Sequence, residues 1–283
     1  MPSVDEYVEQ VGLANPHAEI FFQPPKGRPL VHIPRATEDL PREPLEIKPH
    51  PYGVELGMLQ KILQDSDART LTAALQHEFS RVTPKVADEI LQKAVLLPRA
   101  KPRGLKHGEI ERLHKVIPTV KIFAPPTACV VPIGEELVRK GLEREISADF
   151  YTSATRPPAV YRGNPFQVEV GLAYGGSLRD RGAAADEESV HTTAKQADAQ
   201  EGPITLLRLA NRVPLQYQQS ACATFKAVVE TNWRGYGLTQ PRGSLPQGPM
   251  VLMVHIASVW VPFTSESKEA VAHYPEILKE MQL

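Results

Sequence analysis

Lys268 is the side chain with the clearest chemical use in this sequence. It follows Pro262 and stands in the Ser- and Glu-rich stretch TSESKEAVA. A lysine at the tip of a polar turn is a flexible point charge, which could reach a phosphate held elsewhere and stabilise charge on a transferring phosphoryl group. The spacing leaves open the alternative of a solvated lysine at the start of a helix.

Arg81 and Lys85 form a second candidate site in the stretch FSRVTPK. Thr83 is a good N-cap and Pro84 suits the first helical position, so a helix is predicted to begin here. Backbone N–H groups at a helix start, flanked by two cations, suit the binding of a DNA phosphate. An ordinary capped turn with solvated charges fits the same spacing.

Familiar cofactor and metal motifs are missing from the sequence. It has neither a GxxxxGK[ST] nor a GxGxxG loop, so we do not expect the chain to hold ATP alone. Its nine histidines lack ligand spacing, and Cys129 and Cys222 lie far apart, so we predict no metal site and no disulfide framework. The acidic N-terminus and the lack of a long apolar run predict neither a signal peptide nor a membrane span.

The middle of the chain is predicted to be a basic all-α module. Residues 48–121 carry 13 Lys and Arg against 8 Asp and Glu, a local excess of 13 - 8 = +5 within a chain of net charge -1. Such an excess favours a polyanionic partner. Helical spacing of apolar residues predicts helices over 54–63, 70–79, 84–94 and 106–117.

The flanking segments predict strands as well as helices. Residues 18–33 read as a hairpin around a Pro-Pro-Lys-Gly turn, and a proline-rich linker places a boundary near Lys48. The later elements are helices over 135–145 and 221–233 and strands over 166–174, 204–213 and 250–263. The Ala-, Asp-, Glu- and Ser-rich residues 177–202 are predicted to be a flexible insertion. The fold class is therefore α+β.

Three stretches together resemble the B subunit of DNA topoisomerase VI, a type IIB topoisomerase. They are KPHPYGVELG, TRPPAVYRGNPFQVEVGLAYGG and HIASVWVPFTSESKEAVAHYPEI. The similarity extends over nearly the whole chain outside the insertion. It implies the tail of a gyrase- and Hsp90-type ATPase domain and a linker over 1–48, a helix-two-turns-helix domain over 49–129, and a transducer domain over 130–283. The transducer would be an α+β domain similar to ribosomal protein S5.

The resemblance also implies roles for single residues. Lys268 matches the switch lysine that reaches the γ-phosphate of ATP in the family. Trp233, Arg234 and Tyr236 match a Trp-Lys-x-Tyr motif that helps to contact DNA, with Arg in place of Lys. A core Trp and Tyr at the end of a helix would explain the same residues. The nucleotide motifs lie upstream of this chain in the family, and the cleavage tyrosine and Mg²⁺-binding acidic cluster belong to the A subunit.

The function implied is that of part of an ATP-dependent enzyme that relaxes and decatenates DNA by duplex passage. Its expected partners are the A subunit of DNA topoisomerase VI, a second B subunit in an A2B2 heterotetramer, and double-stranded DNA, with no membrane. ATP and Mg²⁺ would be cofactors of the complete enzyme. We expect a cytoplasmic, nucleoid-associated protein in a prokaryote and a nuclear one in a eukaryote.

Two other functions stay open at this point. A truncated homologue could act as a DNA-binding or scaffold protein without turnover. Met1-Pro2 with Glu6 also resembles DNA glycosylases that use an N-terminal proline amine and carry a helix-two-turns-helix module.

Overall fold

A computed structural model describes residues 3–25, 27–179 and 202–283. Its backbone divides into two units. Unit 1 comprises residues 1–43, 131–159 and 167–283, and unit 2 comprises residues 44–130 and 160–166. Unit 2 thus interrupts the sequence of unit 1 twice, with residues 44–130 and again with residues 160–166. Most of the predicted insertion, residues 180–201, lies outside the described residues.

Unit 2 is built mainly from short helices. They are α2 (Leu56–Asp65), α3 (Leu71–Glu78), α4 (Pro84–Ala94) and α5 (His107–Val116), with 3-10 turns at Pro51–Gly53, Pro102–Gly104 and Ile117–Thr119. The four predicted helices are confirmed, with ends shifted by at most two residues. Their apolar faces share one core, which includes Leu59, Leu75, Ile90 and Leu113.

Unit 1 begins with a helix and a small hairpin. They are α1 (Val4–Ala14), β1 (Ile20–Phe22) and β2 (Val31–Ile33), and the antiparallel pairing of β1 with β2 confirms the predicted hairpin. Helix α1 was not predicted, although Ser3 and Glu6 form a capping box at its start. Because Glu6 caps this helix, its carboxylate is already engaged by a backbone N–H.

The main sheet mixes parallel and antiparallel pairs, and all of its strand residues outside 160–166 belong to unit 1. Its strands are β3 (Phe150–Thr155), β4 (Ala159–Tyr161), β5 (Asn164–Tyr174), β6 (Thr205–Ala210), β7 (Val213–Pro214) and β8 (Met250–Ser258). The order is β3-β5-β8-β6-β7, with β4 beside β5. The β6–β8 pair is parallel, whereas β3–β5 and β6–β7 are antiparallel. All nine residues of β8 are buried, as expected for a central strand covered on both faces.

Three helices whose bounds lie within the described residues accompany the sheet. They are α6 (Glu135–Glu145), α7 (Ala223–Glu230) and α8 (Pro275–Gln282). Gly141 permits the packing of α6 beside α1, because a Cβ at this position would lie 2.8 Å from the carbonyl oxygen of Leu13. The predicted α+β class is confirmed, while the likeness to ribosomal protein S5 stays a prediction. The domain limits inferred from the resemblance also stay predictions.

Three predicted elements need correction. A single strand over 204–213 is wrong, because Asn211 and Arg212 both have positive φ and form a two-residue turn between β6 and β7. The predicted helix over 221–233 ends early at Glu230, and Trp233–Tyr236 form a separate 3-10 turn. The predicted strand 250–263 ends at Ser258.

Within the part of the chain that the structure describes, no helix combines the length and apolar character needed to cross a bilayer. Across the same residues, no group of three or more His, Cys, Asp or Glu side chains is arranged to hold a metal ion.

Candidate functional site

Lys268 lies in a loop of unit 1 that follows β8 and folds back on itself. An antiparallel bridge between Phe263 and Val271 closes the base of the loop. The backbone N–H of Thr264 donates to the carbonyl of Ala270 at 2.9 Å, one step closer to the tip. These contacts fix the ends of the loop and leave its Ser- and Glu-rich tip exposed.

The backbone of Lys268 adopts the left-handed conformation, with φ of 57°. Its N–H donates to the carbonyl of Ser265 at 3.1 Å, which makes Lys268 the last residue of a β-turn. A side chain in this conformation costs roughly 1–2 kcal/mol relative to the right-handed one. The side chain is exposed, and no carboxylate of the described residues forms an ion pair with its ammonium. The predicted cation is therefore presented to solvent by a strained, closed loop.

A glutamine clasps the residue next to Lys268. Nε2 of Gln218 donates to Oε2 of Glu269 at 2.6 Å. Gln218 also has a positive φ, 48°. The carbonyl of the preceding residue, Tyr217, accepts a 2.9 Å hydrogen bond from the guanidinium of Arg208, which is buried in β6. The Lys268 loop is thus linked to the sheet through the hydrogen bond between Gln218 and Glu269 and the bond from Arg208 to Tyr217.

The same loop is attached to the start of α7. The backbone N–H of Ala223 donates to the carbonyl of Val271 at 2.8 Å. In return, the N–H of Val271 points at Sγ of Cys222 at 3.4 Å. Cys222 is fully buried, so this contact lies inside unit 1.

The predicted DNA-contacting aromatic motif lies at the other end of α7. Nε1 of Trp233 donates to the carbonyl of Val228 at 2.7 Å, and its ring lies 6.2 Å from that of Tyr236, centroid to centroid. Tyr236 is 79% exposed. Arg234 reaches the carbonyl of Gln240 at 3.4 Å and is exposed. Trp233 is therefore partly a structural residue, while Arg234 and Tyr236 face solvent.

Arg81 and Lys85 lie together in unit 2, at the start of α4. Thr83 caps the helix by accepting a hydrogen bond from the N–H of Val86, and Pro84 occupies the first helical position, as predicted. Arg81 has a positive φ of 62°, and its Nε donates to the carbonyl of Ala124 at 3.0 Å. Both cationic side chains are exposed. Arg81 is therefore held in place, while Lys85 extends from the first turn.

A buried polar cluster in unit 1 was not singled out from the sequence. Glu169 of β5 and His255 of β8 are both 0% exposed, and Nδ1 of His255 lies 2.7 Å from Oε2 of Glu169. The carboxylate also accepts hydrogen bonds from the N–H groups of Ile133 and Gly134, each at 2.7 Å, and from the Thr155 hydroxyl at 2.9 Å. Four donors thus converge on one carboxylate.

The protonation states of the cluster follow from its contacts. Nε2 of His255 accepts a 3.0 Å hydrogen bond from the N–H of Arg212, so the proton of a neutral ring sits on Nδ1 and is donated to Glu169. Burial raises the pKa of Glu169, but its hydrogen bond and electrostatic interaction with His255 and the hydrogen bonds from Ile133 and Gly134 outweigh it, so the pKa lies below its ordinary value. Glu169 is therefore ionised in the folded chain.

Arg212 connects this cluster to neighbouring segments of unit 1. Its guanidinium donates to the carbonyl of Pro132 at 3.0 Å and reaches that of Ala14 at 3.5 Å. Burial lowers the pKa of Arg212, while the charge of Glu169 acts in the opposite direction. The signal for the cluster was present in the sequence: Glu169 interrupts FQVEVGLAY and His255 interrupts MVLMVHIAS, both otherwise suited to buried strands.

The predicted residues thus form three groups. Lys268 belongs to the loop at the start of α7, and Trp233, Arg234 and Tyr236 belong to the turn beyond its end. Arg81 and Lys85 lie in the other unit.

A family model described as "Topoisomerase VI B subunit, transducer" matches residues 125–283 of the chain. The match covers more than half of the sequence. The chain belongs to the topoisomerase VI B subunit family. The resemblance inferred from the three sequence stretches is therefore confirmed, and the Lys268 loop and the Trp233 turn both lie within the matched transducer region.

Curated relatives agree with this assignment. The B subunit of type 2 DNA topoisomerase 6 from Methanococcoides burtonii is 44% identical over 281 residues, which cover 99% of this chain and 42% of the relative. Its counterpart from Archaeoglobus fulgidus is 42% identical, with coverage of 99% and 43%. The counterpart from Saccharolobus islandicus is 35% identical, with coverage of 98% and 48%. The chain spans less than half the length of these topoisomerase VI relatives.

Among solved structures, the B-subunit of the DNA gyrase from Myxococcus xanthus matches 46% of this chain and 32% of that chain. The TM-score is 0.26 and the identity is 16%, so this match supports no inference.

Proposed function

We propose that this chain is the part of a topoisomerase VI B subunit that contacts DNA and relays the state of bound ATP to the A subunit. The observation that carries the proposal is the placement of the Lys268 loop and the Trp233 turn at the two ends of α7. Both candidate groups are bonded to that helix, one through Val271 and the other through the carbonyl of Val228.

Lys268 is the proposed contact to nucleotide. Its ammonium would bind the γ-phosphate held in the ATPase domain and stabilise the charge that develops as the phosphoryl group is transferred. The exposed tip and the closed base of the loop support this role, because the cation can reach outward while its origin is fixed. An ammonium on a flexible four-carbon stem provides a compact point charge for this contact.

Helix α7 is the proposed mechanical link. It has eight residues, a length of about 12 Å. A displacement of the Lys268 loop on binding or release of phosphate would be passed through Val271 to the start of the helix, and from its end to the Trp233 turn. Short packed helices move as rigid bodies, so little of the displacement would be absorbed within α7.

Two groups of cations are the proposed DNA contacts. Arg81 and Lys85 at the start of α4 would bind phosphate without reading the base sequence. Arg234 would do so at the transducer, with Tyr236 beside it and Trp233 anchoring the turn. The +5 charge excess of residues 48–121 supports this assignment.

The complete enzyme supplies the remaining chemistry. In the proposal, ATP with Mg²⁺ binds the ATPase domain, and the B subunit pairs with a second copy of itself and with two A subunits in an A2B2 heterotetramer. ATP-driven dimerisation then traps one duplex for passage through a break made by the A subunits, which relaxes and decatenates DNA.

Replacement of Lys268 tests the proposal in that complete enzyme. Lys268→Ala should slow ATP turnover and ATP-dependent relaxation by about 10²-fold, the typical loss when one charge-stabilising group is removed. The control is Lys279→Ala, which removes an exposed lysine from α8. Undiminished turnover in the Lys268 variant would overturn the assignment.

A further inference from the structure

We propose that Gln218 is a positioning residue that holds the carboxylate of Glu269 away from Lys268 and so keeps the ammonium available for phosphate. The inference rests on the proposed contact between Lys268 and nucleotide. It explains why Lys268 does not form an ion pair with Glu269, the next residue in the chain.

The starting point is the charge pattern of the loop. Lys268 is flanked by Glu266 and Glu269 in the stretch TSESKEAVA. A carboxylate adjacent to a flexible lysine is a natural internal competitor for any phosphate, since both would bind the same ammonium. Among the described residues, however, Lys268 forms no ion pair.

The geometry of Gln218 accounts for the separation of Glu269 from Lys268. Its Nε2 donates to Oε2 of Glu269 at 2.6 Å, so the carboxylate is held by the Gln218 side chain. The donor itself is fixed in two ways. The backbone of Gln218 adopts the left-handed conformation, which restricts the direction of its side chain. The carbonyl of the preceding residue, Tyr217, accepts a hydrogen bond from buried Arg208.

Glu266 differs from Glu269 in its place within the loop. It is a central residue of the β-turn that is closed by the hydrogen bond from the N–H of Lys268 to the carbonyl of Ser265. Glu266 is exposed, as expected for a central turn residue. It therefore offers a matched control: a carboxylate in the same loop that Gln218 does not hold.

The chain itself provides the first test, through the rate at which an amine-acylating reagent modifies Lys268, read by peptide mass spectrometry. Gln218→Ala should free Glu269 to pair with Lys268 and slow modification about two- to fivefold, the range for one exposed ion pair. The double variant Gln218→Ala/Glu269→Gln should regain the original rate. The pair Gln218→Ala/Glu266→Gln should stay slow.

The outcomes distinguish two roles for Gln218: keeping the Glu269 carboxylate from pairing with Lys268, or only stabilising the loop. If Gln218 only stabilised the loop, the loss in Gln218→Ala would not depend on the charge of residue 269, and the double variant would not recover. That result, or an unchanged rate in Gln218→Ala, would overturn the proposal. The modification assay does not involve ATP, so its result stands whether or not Lys268 binds nucleotide.

The second test uses the complete enzyme. Gln218→Ala should lower ATP turnover about two- to fivefold, Glu269→Gln should restore it, and in a Lys268→Ala background the Gln218 substitution should have no further effect. A loss that persists in that background would contradict action through Lys268. If Lys268→Ala alone leaves turnover unchanged, the proposed function fails while the modification assay still decides the role of Gln218.

Discussion

Nδ1 of His255 lies 2.7 Å from Oε2 of Glu169, in two adjacent strands and with both side chains fully buried. A buried carboxylate is costly unless its lone pairs are satisfied, and here four donors satisfy them. Two of these donors, the N–H groups of Ile133 and Gly134, belong to the segment that leads into α6. The pair therefore joins the centre of the sheet to the start of that helix.

Glu169→Gln should lower the free energy of unfolding by roughly 3 kcal/mol, because an amide NH2 group would face donors that now point at a carboxylate oxygen. Chemical denaturation of the chain measures the effect. Glu143→Gln is the matched control: it removes a surface partner of Arg139 and should cost about 0.5 kcal/mol or less. Equal losses in the two variants would show that the buried cluster contributes nothing special.

Stability should also depend on pH through Glu169. Its pKa in the folded chain lies below the ordinary value of 4.5, so its contribution is complete above that pH and is lost as the pH falls through the folded pKa. Unfolding measured between neutral pH and about pH 3 should show a steep loss below 4.5. The Glu169→Gln variant should lose less over the same range, and parallel curves would refute this attribution.

The left-handed backbone of Lys268 predicts an unusual order of stability among variants. Lys268→Gly should be about 1 kcal/mol more stable than Lys268→Ala, because glycine adopts positive φ without the steric penalty. Thermal unfolding of the two variants measures the difference. At the neighbouring Ser267, whose φ is not positive, the order should reverse. A more stable alanine variant at Lys268 would argue against the turn described.

Salt dependence tests the two cations at the start of α4. This chain should bind duplex DNA without sequence preference, and replacing Arg81 and Lys85 by Ala should reduce the slope of log affinity against log salt by about 0.9 for each phosphate that is no longer neutralised. Lys93→Ala is the control at the other end of the helix, where the lysine is paired with Glu89. A chain that binds no duplex even at low salt would contradict the assignment.

The sequence predicted correctly the elements that are determined by neighbouring residues, such as helix caps and turns. The helix at Pro84 follows from its N-cap and its apolar spacing, and the hairpin over 18–33 follows from its turn. Elements set by tertiary pairing were harder to predict. In the run of β-type residues over 204–213, Asn211 is a residue type that tolerates positive φ, but Arg212 after it is not the glycine that usually completes a two-residue hairpin turn.

The candidate site divides in the same way. Exposed cations such as Lys268 and Arg81 could be identified from residue type and resemblance. The Gln218–Glu269 contact joins residues 51 positions apart, and the Glu169–His255 contact joins residues 86 apart. Such pairs depend on strand order and register, which a single sequence does not fix.

The order of the strands has a consequence for synthesis of the chain. Strand β8 lies between β5 and β6 in the sheet but is the last of the three to leave the ribosome. All helices of unit 2 are made earlier and can pack on one another at once. The helices of unit 2 can thus fold before β8 is available to pair with β5 and β6. Until β8 has been made, the edges of β5 and β6 that will pair with it are unpaired and prone to association with other chains.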